Sequence, residues 1–530
     1  MKKNIKISLI IFIMLIFVSN INAKAFFGLF YLTDNYFDKN SFNTTHSFSF
    51  YLDNKFSDYV KFYTRLTAGV TYKADYNSTN DKIYNVSVMP SIDLLYFEFK
   101  SAKDKQIKFI TNNGELNYDL FNLRFGRIPE IFGNGLIFNT IGDGLDLYFT
   151  IKNFRFKFFA LTNSFDYLPF FDFIGSGVSK PVFTNWDRKR IPNFANYLIE
   201  NNDNGFISDI NSSDYNFYFK GDYQDGYSDE EKDRLNKLRK TAIIAGRIFS
   251  GFSFDIIQLY YQNFSLGFVA NVDLIPEDFV ITYPKILGKT HNTFGGKYNS
   301  FYINFNANGK IIKNLYYNFD FVYETGLNAT YKDSSNKIII ENSLINAFLV
   351  KTGVTYFFDH KIDPTLTFNF SFASGDDDVE IVNDAIINKS DMDNNFKSIT
   401  SQFTSYAVSP SPAFSNLIIL ELKNSIKPMV YLKNEIFSRF EVDSSFLVFL
   451  RPNIKGSVFY SQKPEYLKIG SKYESTDKIF VGCEIDVNLL WRIFSDLSLA
   501  LKTGIFIPNY LIYTNNDLFF KVGLSLNVSI

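Results

Sequence analysis

Charged residues recur at alternate positions inside otherwise apolar or aromatic stretches of this sequence. Arg124, Asp146, Arg155 and Lys157 all stand in such stretches. If these stretches are β-strands, successive side chains point to opposite faces, so the charges share the face opposite the apolar residues. Charges gathered on one face can select ions by sign, or they can pair across neighbouring strands and hold a wall together.

The same alternation assigns further charged residues to this inner face. A charged side chain at mid-strand cannot face lipid without a cost of about 2–4 kcal/mol for Arg or Lys. Positive and negative residues are roughly balanced, whereas a channel for polyanions is expected to have a strongly basic interior. The predicted cross-strand pairs are Arg124 with Asp146, and Asp146 with Arg155 or Lys157. The candidate pore-lining residues are Arg65, Arg124, Asp146, Arg155, Lys157, Asp320, Glu324, Lys433, Glu435, Glu484, Asp486 and Lys502.

Arg127 is a separate case because it directly follows Gly126. Strict alternation places Arg127 on the apolar side with Phe125, whereas a strand end or a β-bulge would turn it inward. Both alternatives stay open from the sequence.

The segment 164–239 is too long for a plain connection between strands. It contains the sequence TNWDRKRIPNF, which combines a tryptophan with a basic cluster. This cluster either folds into a pore as a constriction or lies exposed on the surface. The candidate residues of a constriction loop are Trp186, Arg188, Lys189 and Arg190.

Residues suited to catalysis or metal binding are scarce. The three histidines, His46, His291 and His360, are far apart, and the single cysteine, Cys483, stands on the apolar side of an alternating segment. The sequence contains no G-x-S-x-G motif. The Asp-rich run at 376–380 lacks the spacing of a calcium loop and is interpreted as a solvated loop. We therefore predict no catalytic residue, no metal site and no cofactor, and we predict that the protein is not an enzyme.

The strands that must position the charges are clearest at the C-terminus. In LFFKVGLSLNVSI, apolar residues from Phe520 to Ile530 alternate without a break with small or polar ones. Other alternating segments are read at 118–127, 143–151, 154–163, 240–249, 252–263, 296–307, 312–326, 344–358, 362–374, 427–440, 445–460, 479–490 and 494–507. Less regular segments lie near 44–53, 58–73, 90–100 and 106–111.

The connections between these segments alternate in length. Tight links at 152–153, 250–251 and 359–361 alternate with long ones, among them 128–142, 164–239, 264–295 and 375–426. A β-sandwich or a propeller has no reason to sort its loops in this way, whereas an outer-membrane barrel does. The predicted fold class is therefore all-β: a transmembrane antiparallel β-barrel of about 18 strands, with short periplasmic turns and long extracellular loops.

The N-terminus indicates export. MKKNIK is followed by an apolar run and by SNINA, which predicts a signal peptide at residues 1–23. Residues 24–43 are predicted to be an N-terminal extension or a first strand, and residues 44–530 the barrel. The predicted location is the bacterial outer membrane. The predicted partners are outer-membrane lipids, the barrel assembly machinery and small hydrophilic solutes, while a net charge of -1 argues against nucleic acid.

Four stretches resemble the alginate-export family of bacterial outer-membrane channels. LRFGRIPEIFGNGL with GDGLDL is similar to the Gly-Arg strand, loop and Asp-Gly strand of that family, and FNFSFASGDDD is similar to its strand entering a Ser-Gly-Asp loop. GCEIDVNLLWRI and LKTGIFIP are similar to its penultimate strands. The resemblance implies an 18-stranded, monomeric, porin-like pore with an ancestry that includes export of an anionic polysaccharide.

Fold alone does not decide between functions, because function belongs to the lumen. The first hypothesis is a porin-like outer-membrane channel for passive or facilitated diffusion of small hydrophilic solutes, including anionic or carbohydrate solutes. The alternative is a surface-exposed structural protein or adhesin, whose barrel has a closed lumen and anchors large loops. A membrane-embedded hydrolase is disfavoured by the absence of a catalytic motif. An energy-coupled transporter is disfavoured because the N-terminus has no room for a separate folded plug.

Overall fold

The chain folds into a closed ring of antiparallel β-strands. The computed structural model describes residues 24–38, 41–75, 83–101, 107–111, 114–162, 247–259, 261–273, 280–282, 292–294, 298–334, 337–375, 379–382, 385–388, 392–394, 396, 416–429, 439–454, 479–494, 496–509 and 519–529. The strands of the ring are β1 (Lys24–Asp38), β2 (Ser41–Lys55), β3 (Val60–Asp75), β4 (Ile83–Lys100), β5 (Phe121–Phe132), β6 (Phe138–Ile151), β7 (Phe154–Thr162), β8 (Arg247–Leu259), β9 (Gln262–Asp273), β10 (Tyr298–Ile312), β11 (Leu315–Ser334), β12 (Lys337–Phe357), β13 (Thr365–Ala373), β14 (Leu417–Ile426), β15 (Phe440–Leu450), β16 (Phe480–Arg492), β17 (Leu497–Pro508) and β18 (Phe519–Ser529).

Each strand pairs with its neighbours in the chain, and the ring closes where β18 pairs with β1. In that closing pair, Phe30 lies opposite Ser529 and Asp38 opposite Lys521. The sheet has 19 members, because the two-residue strand Met392–Asp393 adds to β12 in parallel; the other 18 form the ring. Closure pairs the backbone groups that an open edge would expose to hydrocarbon.

The two faces of the wall differ as the alternation predicts. Phe520 and Leu524 of β18 are exposed on the outer face, as are Leu366 and Phe368 of β13. Charged and amide side chains take the inner positions between such residues. An apolar exterior around a polar interior is the form in which antiparallel strands cross a bacterial outer membrane. The protein is an outer-membrane β-barrel, and the predicted fold class is confirmed.

Most of the short turns lie on one rim of the barrel, and the longest connections lie on the other. The rim with short turns, such as 152–153 and 313–314, is the periplasmic rim by the general rule for these barrels. The opposite rim carries 163–246, 374–416 and 451–479 between successive strands. A 3-10 turn lies at Gly133–Gly135. In the described part of the chain, no helix has the length and apolar character needed to cross a lipid bilayer.

The segment predicted as a strand at 106–111 is not part of the barrel wall. Ile107–Thr111 pairs with Gly114–Tyr118 in a separate two-stranded sheet, within the connection from β4 to β5. Only Asn112 and Asn113 stand between the two halves in the sequence, and a two-residue link of this kind favours a tight hairpin, so local pairing wins over pairing with the wall.

The predicted turn at 250–251 is wrong. Ser250 and Gly251 lie inside β8, and β9 (Gln262–Asp273) occupies a segment that was predicted to be a loop. Ser250 and Gly251 are small residues of the kind found in turns, but in the structure Gly251 leaves space for an aromatic ring of the neighbouring strand. A side chain at Gly251 would collide with the ring of Phe159 on the neighbouring strand β7.

The predicted strands 427–440 and 445–460 are displaced along the chain. β14 ends at Ile426 and β15 begins at Phe440, so the connection between them takes up 427–439. The apolar alternation of the sequence continues beyond Ile426, but Pro428 cannot donate a hydrogen bond to a ladder and favours an end of the strand.

The segment 24–38 forms the first barrel strand rather than an extension. β1 pairs with β2 from Lys24 opposite Lys55 to Phe37 opposite Phe42. The predicted signal peptide, residues 1–23, lies outside the described residues.

Apolar side chains fill part of the barrel interior. Leu349, Leu447 and Phe449 are fully buried on the inner face, where outer-membrane channels usually expose polar groups. Leu136 and Ile137, from the connection between β5 and β6, belong to the same cluster of buried residues. The described lumen is therefore narrowed by packed side chains as well as by charged ones.

Candidate functional site

The narrowing of the lumen centres on the hairpin of β5 and β6. β5 pairs with β4 only as far as Arg127, which lies opposite Leu95. At this point Gly126 has φ of +123°, which favours glycine, and a side chain there would collide with the backbone of Leu95. Residues 128–132 continue beyond this point and pair with residues 138–142 of β6, and 133–137 connect the two. We name residues 128–138 the constriction hairpin.

Contacts with distant strands place the constriction hairpin across the lumen. The ring of Phe132 lies on Phe159 of β7, with centroids 5.4 Å apart, and fills the space over Gly267 of β9. At the tip, Asn134 Nδ2 donates a hydrogen bond to Asp320 Oδ1 of β11 over 2.7 Å. The hairpin therefore spans from its own position in the wall to β11.

Two Arg–Asp pairs lie along the wall beside the hairpin. Arg124 Nε donates to both carboxylate oxygens of Asp146, over 3.0 and 3.1 Å. Arg155 Nε donates to Asp255 Oδ2 over 3.0 Å. The predicted pair Arg124–Asp146 is present. The predicted pairing of Asp146 with Arg155 is wrong, because Arg155 lies directly opposite Asp255 in the β7–β8 register.

Lys157 fixes the hairpin to the wall. Its ammonium forms a buried ion pair with Glu130 on the hairpin and donates to the Ile131 carbonyl oxygen over 3.1 Å. The predicted partner of Lys157 was Asp146, but that carboxylate is occupied by Arg124. Glu130 was outside the predicted set because its segment was predicted to be a loop.

Three cations surround the ring of Tyr148. The Lys157 ammonium lies 5.2 Å from the ring centroid, and the guanidinium carbons of Arg155 and Arg124 lie 5.5 and 5.8 Å from it. Cation–π attraction holds these side chains in place in addition to their carboxylate partners. The positive charge beside the hairpin is therefore compensated by three carboxylates and one aromatic face.

The remaining predicted basic residues differ in their surroundings. Arg65 is partly exposed on the inner face, and its Nε donates to Asp93 Oδ2 over 3.2 Å. Lys502 is exposed on the inner face of β17. Lys433, and Glu435 from the acidic members of the set, lie outside the described residues.

The remaining acidic members of the predicted set are buried. Asp320, Glu324, Glu484 and Asp486 share the inner face but are covered by neighbouring side chains. Glu324 accepts a hydrogen bond from the Tyr302 hydroxyl over 3.0 Å. These carboxylates therefore take part in the packed interior rather than in an open water surface.

Arg127 lies on the outer face, as strict alternation requires. Its Nη1 donates to Asp143 Oδ2 over 3.0 Å, and the two residues are directly opposite each other in the β5–β6 register. Pairing with Asp143 lets this guanidinium stand on the apolar side of the wall beside Phe125.

The predicted constriction loop lies outside the described residues, namely Trp186, Arg188, Lys189 and Arg190. In the described chain, the constriction hairpin narrows the lumen instead. Pro129 is the residue from which the hairpin could have been predicted, because proline within a sheet is confined to edge strands and bulges. Flanked by Gly126 and Gly133, Pro129 marks a strand that leaves the wall.

A cavity of about 960 Å³ lies beneath the constriction hairpin. Residues 131–134 form its inner end, while Tyr261 and Asn314, from periplasmic turns, line its opposite end. The cavity therefore opens at the periplasmic rim. Amide side chains dominate its polar lining: Asn134, Gln258, Asn263, Asn304, Asn306, Asn308, Asn314 and Asn318.

Three of these amides form a hydrogen-bonded series, which we name the amide ladder. Asn263 Nδ2 donates to Asn308 Oδ1 over 3.0 Å, and Asn308 Nδ2 donates to Asn306 Oδ1 over 2.9 Å. Asn306 Nδ2 then donates to Asp320 Oδ1 over 2.7 Å. The ladder thus ends on the same carboxylate that binds Asn134 at the hairpin tip.

Four aromatic side chains share the inner face of β1 to β4, about half the ring away from the amide ladder. The ring centroids of Phe30 and Tyr51 are 5.1 Å apart, those of Tyr51 and Tyr63 are 6.3 Å apart, and those of Tyr63 and Tyr96 are 5.4 Å apart. All three pairs are stacked. We name these four residues the aromatic stripe.

The described residues include no group of three or more His, Cys, Asp or Glu side chains placed to hold a metal ion. No family model matches the sequence, and no curated protein matches it. The resemblance to the alginate-export family therefore receives no support from these comparisons.

Several crystal structures from Pseudomonas aeruginosa are similar in fold. OccK7 (OpdD) is 9% identical, over 96% of this chain and 99% of that one, with a TM-score of 0.47. OccK10 (OpdN) is 8% identical, over 96% and 99%, with a TM-score of 0.46. The outer membrane protein OprD is 10% identical, over 96% and 94%, with a TM-score of 0.43. Identities and TM-scores this low carry no information on solute or mechanism, so any inference about either has to come from the lumen of this chain.

Proposed function

We propose that this protein is a porin-like channel through which small hydrophilic solutes diffuse passively across the outer membrane. The observation that carries the proposal is the polar inner face of the described barrel. Lys502 is exposed to the lumen, Arg65 is partly exposed to it, and the cavity beneath the hairpin is lined with amides. A polar, water-accessible interior is what a diffusion channel requires. The partners that we propose are outer-membrane lipids, the barrel assembly machinery and the solutes themselves.

The charge pairing favours weak ion selectivity. Beside the constriction hairpin, Arg124, Arg155 and Lys157 are each bound to a carboxylate. A channel that exports an anionic polysaccharide needs uncompensated positive charge along its path. We therefore propose small anionic or carbohydrate solutes, and not a polyanion, for this lumen.

A second candidate function is a barrel that anchors surface segments and has a closed lumen. The buried interior cluster favours it, since Phe396 from the 374–416 connection and Ile137 of the hairpin are almost fully buried within the barrel. A lumen packed along its whole cross-section would not conduct.

Single-channel recording in a planar bilayer separates the two candidates. The purified full chain is inserted, and conductance and reversal potential are measured in a KCl gradient. A steady open conductance with a small reversal potential supports the channel. If folded protein inserts and passes no current, the channel function is overturned and the barrel that anchors surface segments is the remaining candidate.

A further inference from the structure

We infer that the solute of this channel is a neutral oligosaccharide, which binds at two places in the lumen, the amide ladder and the aromatic stripe. The inference rests on the proposed channel function and names its solute class. The two surfaces are separate observations, because one lies on β9 and β10 and the other on β1 to β4.

The amide ladder matches hydroxyl groups. An Asn side chain carries two donors and an acceptor oxygen with two lone pairs. In the ladder, Asn308 uses one donor toward Asn306 and one lone pair for Asn263. Asn308 therefore keeps one donor and one lone pair for a solute, and so does Asn263, whose oxygen accepts from the Gln258 backbone N–H. Asn306 keeps only a lone pair, because its two donors bind Asp320 and the Phe319 carbonyl oxygen. A sugar hydroxyl is itself both a donor and an acceptor, so it can satisfy both the donors and the lone pairs that remain.

Asp320 sets the direction of the ladder. A carboxylate accepts hydrogen bonds and does not donate them, so Asn306 has to direct its amide nitrogen to it. Each amide before Asn306 is then oriented by the next one. The cavity wall therefore presents a fixed order of donors and acceptors before a solute arrives, which lowers the entropic cost of binding.

The aromatic stripe matches the other surface of a sugar. A pyranose ring has apolar C–H faces, and these pack on aromatic rings while the hydroxyls at the ring edge bond to polar groups. Successive centroids of the stripe are 5.1, 6.3 and 5.4 Å apart. With such short spacing, a chain of sugar rings can pass from Phe30 to Tyr96 and stay in contact with an aromatic face.

The charges at the hairpin end of the cavity argue against an ionic solute. The lining cations there, Arg155 and Lys157, are bound to Asp255 and Glu130, while a third lining cation, Lys310, lies near the periplasmic turn 313–314. An anionic solute would have to compete with these carboxylates, whereas a neutral solute would leave both pairs in place. The volume of about 960 Å³ is at the upper end for small-molecule sites, which suits more than one sugar ring.

The test is isothermal titration of the detergent-solubilised full chain with maltotriose, and separately with trigalacturonate, at equal ionic strength. We expect maltotriose to bind more tightly than the anionic trisaccharide. Asn308→Leu should weaken maltotriose binding about tenfold, as expected for the loss of two hydrogen bonds. Tyr63→Leu should weaken it about threefold through the loss of ring stacking.

Two control variants keep this result interpretable. Asn369→Leu removes an inner-face amide that is bonded to Glu421 and does not line the cavity. Phe62→Leu changes the sequence neighbour of Tyr63. Phe62 packs on the outer face in a tilted ring pair with Phe97, with centroids 4.9 Å apart. All variants are checked for folding by heat-modifiable migration on gels, and the controls should bind maltotriose like the unmodified protein.

Tighter binding of trigalacturonate, no binding of maltotriose, or equal losses in the test and control variants would each overturn the inference. The bilayer recording reports on the channel separately. Conductance without maltotriose binding overturns only the solute assignment. Maltotriose binding without conductance overturns the channel and leaves the saccharide site.

Discussion

Asn134 at the hairpin tip and Asp320 on β11 are joined by a 2.7 Å hydrogen bond, which attaches the constriction hairpin to a distant part of the wall. The same carboxylate oxygen accepts the last bond of the amide ladder, from Asn306. The position of the constriction hairpin and the order of the cavity wall therefore depend on one carboxylate. A substitution of Asp320 should therefore change both the width of the passage at the hairpin and the arrangement of the amides that line the cavity.

Removing the tip contact should widen the passage. In Asn134→Ala the hairpin loses a hydrogen bond to a charged group, worth about 1.5–3 kcal/mol, and keeps its apolar contacts. We expect a higher single-channel conductance and more open-channel noise. The matched control is Asn122→Ala, which removes an amide bonded to Glu98 in the wall. If both variants conduct alike, the tip contact does not set the width.

Filling the space at Gly267 should displace the hairpin from the other side. The ring of Phe132 occupies the position that a side chain at Gly267 would need. We expect Gly267→Val to lower stability by about 1–3 kcal/mol through overpacking and to raise conductance. The double variant Gly267→Val/Phe132→Ala should regain part of the stability in thermal unfolding. Independent, additive losses would contradict this packing.

Opposite changes of the Lys157–Glu130 pair should shift ion selectivity in opposite directions. Glu130→Gln leaves the Lys157 ammonium without its carboxylate, so the reversal potential in a KCl gradient should move toward anion preference. Lys157→Gln leaves Glu130 and should move it toward cation preference. Both residues are buried, so each variant should also lose about 3–5 kcal/mol of stability.

The control for this pair is Lys313→Gln at a periplasmic turn. Lys313 binds Asp359 over 3.2 Å, and both side chains are exposed, so the pair contributes little to stability and lies away from the hairpin. Its reversal potential should equal that of the unmodified protein. A shift of the same size as in Glu130→Gln would show that bulk charge, and not the constriction, sets selectivity.

Neighbouring residues of the last strand should respond in opposite ways to the same substitution. Leu524 faces outward and Ser525 inward. We expect Leu524→Arg to cost about 2–4 kcal/mol near the bilayer centre, and Ser525→Arg to fold normally. The folded fraction after refolding into lipid vesicles, read by heat-modifiable migration, measures the difference. Equal yields would mean that β18 does not meet lipid as assigned.

The wall could be predicted from sequence where a strand has lipid on one side and polar groups on the other. β11, β13 and β18 meet this condition, and their alternation is clear to the eye. The prediction failed at Gly251, because a glycine that makes room for a neighbouring ring has the same appearance in sequence as a glycine in a turn. It also failed after Ile426, where the alternation outlasts the strand.

The site was predicted only in part, for a different reason. Alternation found Arg124, Asp146, Arg155 and Lys157, because it reports which side of a strand a residue occupies. It does not report that a hairpin leaves the wall, so Glu130 was missed. Distances across the lumen, such as that from Asn134 to Asp320, depend on closure of the whole ring and have no local sequence pattern.

Just before the base of the constriction hairpin, Gly126 lies directly opposite Gly144. Both glycines still pair with the wall, and the hairpin leaves it one residue pair further on, after Arg127 and Asp143. From there the hairpin is held by Lys157 near its base and by Asp320 at its tip. A ribbon fixed at both ends acts as a strut across part of the lumen, so the width of the passage depends on whether the far end of the strut stays attached.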